Sequence, residues 1–156
     1  WLNPEKYIDD KGYLTVQALY AIGSGGLFGK GLGKSLQKLG YIPESQNDMI
    51  FSVICEELGL FGAFCLIALF VVMLWRINHI AQNAPDLIGS MLATGVFAHI
   101  AIQVILNIAV VTNTIPNTGV SLPFISYGGS SMITNYIMVG ILLNISGKRQ
   151  KTIFVQ

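Results

Sequence analysis

The feature that most restricts the fold of this chain is the length of its uncharged segments. No Lys, Arg, Asp or Glu occurs in Leu58–Trp75 or anywhere in Leu87–Gly147. About 18 consecutive apolar residues are enough for a helix to cross the hydrocarbon core of a bilayer. These segments therefore predict membrane-spanning helices.

The overall composition supports a membrane protein. Charged residues make up 11% of the 156, whereas a soluble domain usually has about 25%. Hydrophobic residues reach 53%, and the net charge of +1 provides no basic surface for nucleic acid. Cys55 and Cys65 would lie ~15 Å apart along a helix, too far for a disulfide, so we interpret them as packing residues.

We predict an all-α polytopic membrane protein with three transmembrane helices, at about 49–75, 87–111 and 126–145. Residues 1–48 are expected to form a water-facing loop with one short interfacial helix near 13–22, and 148–156 to form a tail. The Lys and Arg residues that follow the third helix favour a cytoplasmic tail and an extracellular first loop. We expect the chain to be a fragment of a longer protein, with earlier spans missing.

The glycine-rich segment Gly23–Ser35 resembles a nucleotide-binding loop only in part. Its last three residues match the end of the phosphate-binding motif, but Phe28 stands where that motif requires glycine. The same residue breaks the dinucleotide-binding pattern, and no predicted strand precedes either motif. We therefore predict a flexible or tightly turned loop, in which Lys30, Lys34 and Lys38 could contact an anionic group.

A polar stripe runs along one face of the second predicted span. His99, Gln103 and Asn107 recur at four-residue spacing. Such a stripe in lipid must face other helices or a wet cavity, and both interpretations stay open. A metal site is not indicated, because His79 lies in a distant connection and no second cluster of ligands is present.

Three acidic residues lie at or near the start of the first predicted span. An ionisable group inside a span indicates either a functional cavity or a side chain that reaches back to the interface, and both readings apply to Glu56 and Glu57. Asp48 stands at the helix start, where its local role would be an N-cap. Asp48 and Glu57 are ~13 Å apart along a continuous helix, too far for the close carboxylate pair of a glycosidase.

Three blocks of sequence, in order, resemble the signature of the FtsW/RodA/SpoVE family of bacterial shape, elongation, division and sporulation proteins. The blocks are Gly23–Gly33, Pro43–Phe51 with Glu56–Gly59, and Asn107–Ser131. The sequence departs from the family pattern outside its core positions, at Asn47, Asn113 and Asn117. The segment Ser35–Leu39 looks closer to the FtsW and SpoVE branch than to the elongation branch.

The resemblance implies a multi-pass peptidoglycan glycosyltransferase of the bacterial plasma membrane, acting in cell division or sporulation. This chain would then be the last three spans of a ten-span fold, plus its large extracellular loop. The implied reaction is hexosyl transfer from an undecaprenyl-diphosphate-linked disaccharide-peptide precursor. The implied partners are that precursor, membrane lipid and a class B penicillin-binding transpeptidase. We expect the fragment alone to be inactive.

Two other functions remain open at this point. They are a flippase for the lipid-linked precursor and a non-catalytic scaffold for a division transpeptidase. A transporter should carry its main ionisable groups near the membrane midplane, whereas Asp48 is at the outer edge.

The resemblance also implies roles for individual residues. Asp48 matches the family's proposed catalytic aspartate, and a carboxylate suits a reaction in which a sugar hydroxyl must lose its proton. The anionic diphosphate that departs needs Lys, Arg or a divalent cation such as Mg²⁺ or Mn²⁺. No residue is predicted as a metal ligand. The substrate-binding residues implied are Lys34, Lys38, Glu44, Glu57, Gln103, Asn107, Ser126, Tyr127, Gly128, Gly129 and Ser130.

Overall fold

The computed structural model of the chain describes residues 11–31, 33–34 and 48–153, with the side chains of 15–31, 33–34 and 48–148. Throughout this part the regular structure is helical and contains no strand. The helices are α1 (Lys11–Gly25), α2 (Ile50–Gln82), α3 (Leu87–Val111) and α4 (Gly129–Ile153). The predicted all-α fold class is confirmed.

Helix α2 is longer than predicted and is broken. It continues to Gln82, because Ile77 and Ala81 are buried one turn apart and extend the packed face beyond Trp75. Near its start, Gly59 has φ 70° and ψ −167°, which interrupts the helix between a short first segment and the long remainder. The expectation of one continuous helix is therefore wrong at Gly59.

The break is filled by residues 26–31, which we call the glycine loop. An interrupted helix leaves carbonyl and amide groups without their usual i to i−4 partners, which is costly away from water. Here two loop amides donate to α2 carbonyls, and two α2 amides donate to loop carbonyls. The pairs, donor first, are Lys30 to Glu56 (2.9 Å), Gly31 to Glu57 (3.0 Å), Leu60 to Gly26 (2.9 Å) and Phe61 to Leu27 (3.2 Å).

Two glycines make this close approach possible. Gly29 and Gly59 both have positive φ, 75° and 70°. A Cβ atom at Gly29 would overlap the carbonyl of Glu57, and one at Gly59 would overlap the amide of Gly29. The spacing of glycines in the loop is therefore a requirement of its contact with α2.

The core lies mainly between α2 and α3. Small and β-branched residues of α3 face α2 at helical spacing, at Ala93, Val96, Ile100 and Val104. Large apolar side chains on the outer faces are exposed, among them Phe64, Trp75 and Ile105. This is the pattern of helices whose outer surface faces lipid or further helices.

Among the described helices, α2 and α3 are long and apolar enough to cross a membrane. The bounds of α3 coincide with those of the second predicted span. Helix α4 does not meet the same criterion, since polar residues such as Asn135 and Asn144 divide its apolar positions. It also begins at Gly129 rather than near 126, and its crossing of the membrane stays a prediction.

Candidate active site

Asp48 lies in a turn one residue before the N-cap of α2, and its side chain is half-buried. The N-cap residue is Met49, so the local interpretation of Asp48 as the N-cap is wrong. The Asp48 carboxylate lies against Gly119, since a Cβ atom added there would be 3.3 Å from Asp48 Oδ2. Gly119 has φ 67°, a conformation that suits glycine. The carboxylate therefore faces the segment that joins α3 to α4.

Asn107 fixes the backbone on both sides of this contact. Its side chain is fully buried, and Nδ2 donates 2.8 Å hydrogen bonds to the carbonyl oxygens of Asp48 and Val120. One carboxamide thus joins the start of α2 to the residue that follows Gly119. The Oδ1 atom is buried and has no hydrogen-bond partner among the described residues, and contact between Asn107 and a substrate stays a prediction.

Residues 112–128, here called the outer loop, join α3 to α4, and the loop begins with an unusual backbone conformation. Asn113 ends α3 with φ 56°, a left-handed conformation that asparagine tolerates and glycine adopts freely. This conformation suits the asparagine found at this position, where the sequence departs from the family pattern.

The predicted substrate-binding residues at positions 126–130 occupy different environments. Ser126 is buried, and its Oγ accepts a 2.7 Å hydrogen bond from the Leu122 amide, which closes the turn before α4. Tyr127 is 76% exposed, and Gly129 and Ser130 begin α4 with exposed surfaces. Gly128 is half-buried. Ser126 therefore shapes the outer loop, while Tyr127 and Ser130 present groups that a ligand could reach.

The two neighbouring glutamates differ in their surroundings. The Glu56 side chain is fully buried, and Oε1 lies 2.8 Å from Lys30 Nζ and 3.4 Å from Ser24 Oγ. Glu57 is half-buried, and its buried Oε1 has no hydrogen-bond partner among the described residues. Glu56 is therefore paired with the glycine loop, whereas the described residues supply no donor to Glu57 Oε1.

Of the predicted cationic residues, Lys34 lies in the described part of the chain and is exposed. Lys38 and Glu44 lie outside the described residues, and so does the rest of 35–47. Among the described residues no group of three His, Cys, Asp or Glu side chains could hold a metal ion.

Along the polar stripe of α3, burial increases toward Asp48. His99 is exposed and Asn107 is fully buried. Gln103 is half-buried, and its Oε1 has no hydrogen-bond partner among the described residues. The stripe thus turns into the protein only at its end nearest the outer loop.

Replacing Gln103 with Leu in the full-length protein should lower the activity that the family resemblance implies by ~10-fold, the value of one buried hydrogen bond. The reason is that Gln103 Oε1 is buried and needs a donor that the described residues do not supply. The midpoint temperature of thermal unfolding should not fall, because Leu replaces a side chain that has an unpaired buried polar atom. Ile102→Val is the control, since the Ile102 side chain is 56% exposed and lies about 100° around α3 from Gln103. Equal rates for both variants would show that Gln103 does not face a functional cavity.

Sequence reasoning missed two features of this site. It predicted that Lys30 could contact an anionic group but did not identify the Glu56 carboxylate as that group, and it gave Gly119 no role. A local signal for Gly119 exists, because Asn117 precedes it and its Oδ1 accepts a hydrogen bond from the Gly119 amide (3.1 Å), as in a side-chain turn.

Comparison with known proteins gives a consistent result. The family model for FtsW/RodA/SpoVE cell cycle proteins matches residues 1–151. Stage V sporulation protein E of Bacillus subtilis (strain 168) is 53% identical over 146 residues, which are 94% of this chain and 40% of that protein. The probable peptidoglycan glycosyltransferase FtsW of the same organism is 49% identical over 144 residues, 92% of this chain and 36% of that protein. The chain thus spans about 40% of the length of these relatives.

Two solved structures share the fold. A peptidoglycan synthase complex, described as coordinating polymerization and crosslinking, matches with a TM-score of 0.71 and 27% identity, over 92% of this chain and 39% of the other. An aspartate-to-alanine variant of the rod shape determining protein RodA of Thermus thermophilus matches with a TM-score of 0.65 and 32% identity. That alignment covers 85% of this chain and 40% of the other.

Proposed function

Because this chain belongs to the FtsW/RodA/SpoVE family of cell cycle proteins, we propose that the full-length protein is a peptidoglycan glycosyltransferase. It would act in the bacterial plasma membrane on a lipid-linked disaccharide-peptide precursor. The observation that carries the proposal is the placement of Asp48, whose backbone is tied down by Asn107 and whose carboxylate lies against Gly119. Relatives named peptidoglycan glycosyltransferase FtsW support the reaction class.

The proposed chemistry uses Asp48 as the general base. A sugar hydroxyl oxygen attacks the anomeric carbon of the donor, and its proton passes to the Asp48 carboxylate. The new glycosidic bond forms as the bond between the anomeric carbon and the lipid diphosphate oxygen breaks. The diphosphate leaves with the electron pair of that bond. Atoms and charges balance without a further reactant.

The remaining predicted residues would bind and orient the substrate. Lys34, with Lys38, would neutralise the departing diphosphate, and a divalent cation such as Mg²⁺ or Mn²⁺ would add positive charge there when bound. The half-buried Glu57 carboxylate would accept a hydrogen bond from a sugar hydroxyl. Tyr127, Ser130 and the Gly128–Gly129 backbone, which lie at the start of α4, would contact the substrate.

A class B penicillin-binding transpeptidase is the proposed protein partner. Support comes from the fold shared with a peptidoglycan synthase complex that coordinates polymerization and crosslinking. In the scaffold alternative, such a partner would bind while Asp48 has no role. In the flippase alternative, precursor would cross vesicle membranes without being polymerised.

The test is a polymerisation assay with purified full-length protein and lipid-linked precursor, with product length read on a gel. Glycan strands longer than the precursor disaccharide are expected. Precursor transport in vesicles without strand formation would favour the flippase. Absence of both, with retained transpeptidase binding, would favour the scaffold.

The proposed topology places residues 1–48 and the outer loop outside, and residues 83–86 and the tail in the cytoplasm. Single cysteines replacing Lys11 and Gln150, in a background without Cys55 and Cys65, should react with an impermeant thiol reagent from opposite sides. Lys11→Cys should label in intact cells, and Gln150→Cys only after the membrane is opened. The reverse pattern would place Asp48 on the cytoplasmic side and remove it from the proposed reaction.

A further inference from the structure

The first two turns of α4 are packed differently from the rest of the helix. In residues 137–148, here called the inner half of α4, the apolar side chains of Leu142 and Ile145 are buried in the core. In residues 129–136, here called the outer half, the one buried side chain is the polar Asn135. Apolar packing therefore fixes the inner half of α4 and contributes little to the outer half.

The burial of Asn135 is unfavourable in this arrangement. The residue is 2% exposed, and its Oδ1 is buried with no hydrogen-bond partner among the described residues. A buried acceptor without a donor loses the hydrogen bonds that water would give it. Movement of the outer half of α4 away from its neighbours would let water or a lipid headgroup reach this oxygen. The Asn135 side chain thus favours an arrangement in which the outer half is less tightly packed.

An aromatic contact acts in the opposite direction. The rings of Phe124, in the outer loop, and Tyr136 lie edge to face, with centroids 6.3 Å apart. This is a stabilising geometry for an aromatic pair. The Phe124 side of the contact is fixed, because Leu122 is 1% exposed and is bound by Ser126 through both of its backbone groups. The Leu122 amide donates to Ser126 Oγ (2.7 Å), and the Leu122 carbonyl accepts from the Ser126 amide (3.1 Å).

Two consecutive glycines, Gly128 and Gly129, connect this fixed turn to α4. Glycine has the widest range of backbone conformations. A Cβ atom at Gly129 would have no heavy atom within 4 Å, so packing does not require glycine at this position. The backbone can therefore change direction between the turn and the helix without a steric penalty at Gly129.

We propose that the outer half of α4 is a lateral gate, which tilts about the packed inner half while the two glycines absorb the displacement. In the closed arrangement, seen in the structure, Tyr136 meets Phe124 and Asn135 is buried. In the open arrangement the ring contact is broken and the Asn135 carboxamide is hydrated. The two contributions oppose each other, so both arrangements are accessible. A tilt of ~10° about Leu142 would move Gly129 by ~3–4 Å, since this stretch of helix is ~20 Å long.

The role of the gate rests on the proposed function. The apolar chain of a lipid-linked substrate stays in the bilayer while its sugar reaches Asp48, so the substrate must enter from the side, between helices. Tyr127 and Ser130, two of the proposed substrate contacts, lie at the end of α4 that would move. Opening would admit the head of the substrate beside the outer loop, and closing would return these contacts to their places.

The first test is a reversible crosslink across the gate in the full-length protein, in a background without Cys55 and Cys65. Phe124→Cys with Tyr136→Cys is joined by a short bifunctional thiosulfonate, a reagent that a reductant removes. Polymerisation should fall by ~10-fold or more in the crosslinked protein, because the gate is held closed, and should recover on reduction.

The matched control is a crosslink in the inner half of α4. Gly89→Cys with Ile145→Cys is suitable, because a Cβ atom at Gly89 would be 3.5 Å from Ile145 Cγ2. These positions stay in contact in both arrangements, so the crosslink should not change the rate of polymerisation. An unaltered rate in the crosslinked Phe124 and Tyr136 pair, or equal losses in both pairs, would overturn the gate.

The second test does not depend on activity and measures the rate of thiol labelling by N-ethylmaleimide. Asn135 and Leu142 are 2% and 4% exposed, so a static helix protects both positions. In the same background, Asn135→Cys should be labelled ~10-fold faster than Leu142→Cys, because the outer half opens locally. Adding Gly129→Ala to Asn135→Cys should slow the labelling, because alanine stiffens the connection.

Equal protection of the two cysteines would overturn the gate. Labelling of Asn135→Cys at a rate that Gly129→Ala does not change would also overturn it, since depth in the membrane rather than tilting would then explain the difference. If the labelling follows the expected pattern but the unaltered protein does not polymerise precursor, the proposed function fails and the gate stands.

Discussion

Asp48→Asn in the full-length protein is expected to reduce glycan polymerisation by ~10²–10⁴-fold or more, the usual contribution of a general base. Asn keeps the size and shape of the side chain beside Gly119 but cannot accept the hydroxyl proton at neutral pH. The Asp48 carbonyl, which accepts the hydrogen bond from Asn107, is unaffected by the change. Folding and transpeptidase binding should therefore persist. The measurement is the initial rate of strand formation with purified precursor.

Glu57→Gln is the matched control, because it makes the same carboxylate-to-amide change nine residues later. It should be milder, since the position of Glu57 inside α2 suits orientation of a sugar hydroxyl better than proton transfer. Normal polymerisation by Asp48→Asn would rule out the assignment of the base, and the transport and scaffold functions would then take precedence. Equal losses in both variants would indicate that the two carboxylates act together.

Asn107→Asp is expected to have the second largest effect. The substitution is isosteric, but a carboxylate has no N–H to donate to the carbonyls of Asp48 and Val120. Both carbonyls would lose a donor, and the new charge would face them in a fully buried position. Each orphaned group costs about 1–3 kcal/mol, and displacement of Asp48 should lower kcat by ~10²-fold.

The measurements are the thermal midpoint and kcat of the full-length protein. Asn78→Asp makes the same chemical change at an exposed site of α2 and should alter neither. A variant at Asn107 that keeps the unaltered midpoint and kcat would show that the two hydrogen bonds do not position Asp48.

Much of the fold could be predicted from the sequence, because hydropathy and charge act locally. The bounds of α3 follow from an uncharged apolar run that begins after Pro85 and Asp86 and ends before the left-handed Asn113. The sequence analysis did not predict that α2 continues beyond Trp75. The polar residues Arg76 and Asn78 indicated a connection between helices, but this segment is helical and buries one face.

The break at Gly59 could not be found in the same way. A single glycine inside an apolar helical pattern is usually tolerated. The groups that make the break favourable belong to the glycine loop, which lies about 30 residues earlier in the chain. Periodicity within α2 carries no information about such a distant partner.

The same limit applies to the candidate site. The spacing of His99, Gln103 and Asn107 predicts a polar face, but spacing does not distinguish a side chain that contacts substrate from one that holds the backbone. The two carbonyls bound by Asn107 are 59 and 13 residues away in sequence. Which group a buried amide meets is decided by the packing of α2 against α3 and the outer loop, and that packing is a property of the folded chain.

The pairing of the glycine loop with the broken helix has a consequence for biogenesis. When the long part of α2 enters the bilayer, the carbonyls of Glu56 and Glu57 and the amides of Leu60 and Phe61 have no partners within their own helix. They stay hydrated, or cost several kcal/mol each in lipid, until the loop docks. Insertion of this helix should therefore halt with Gly59 at the water boundary, and completion should wait for the loop.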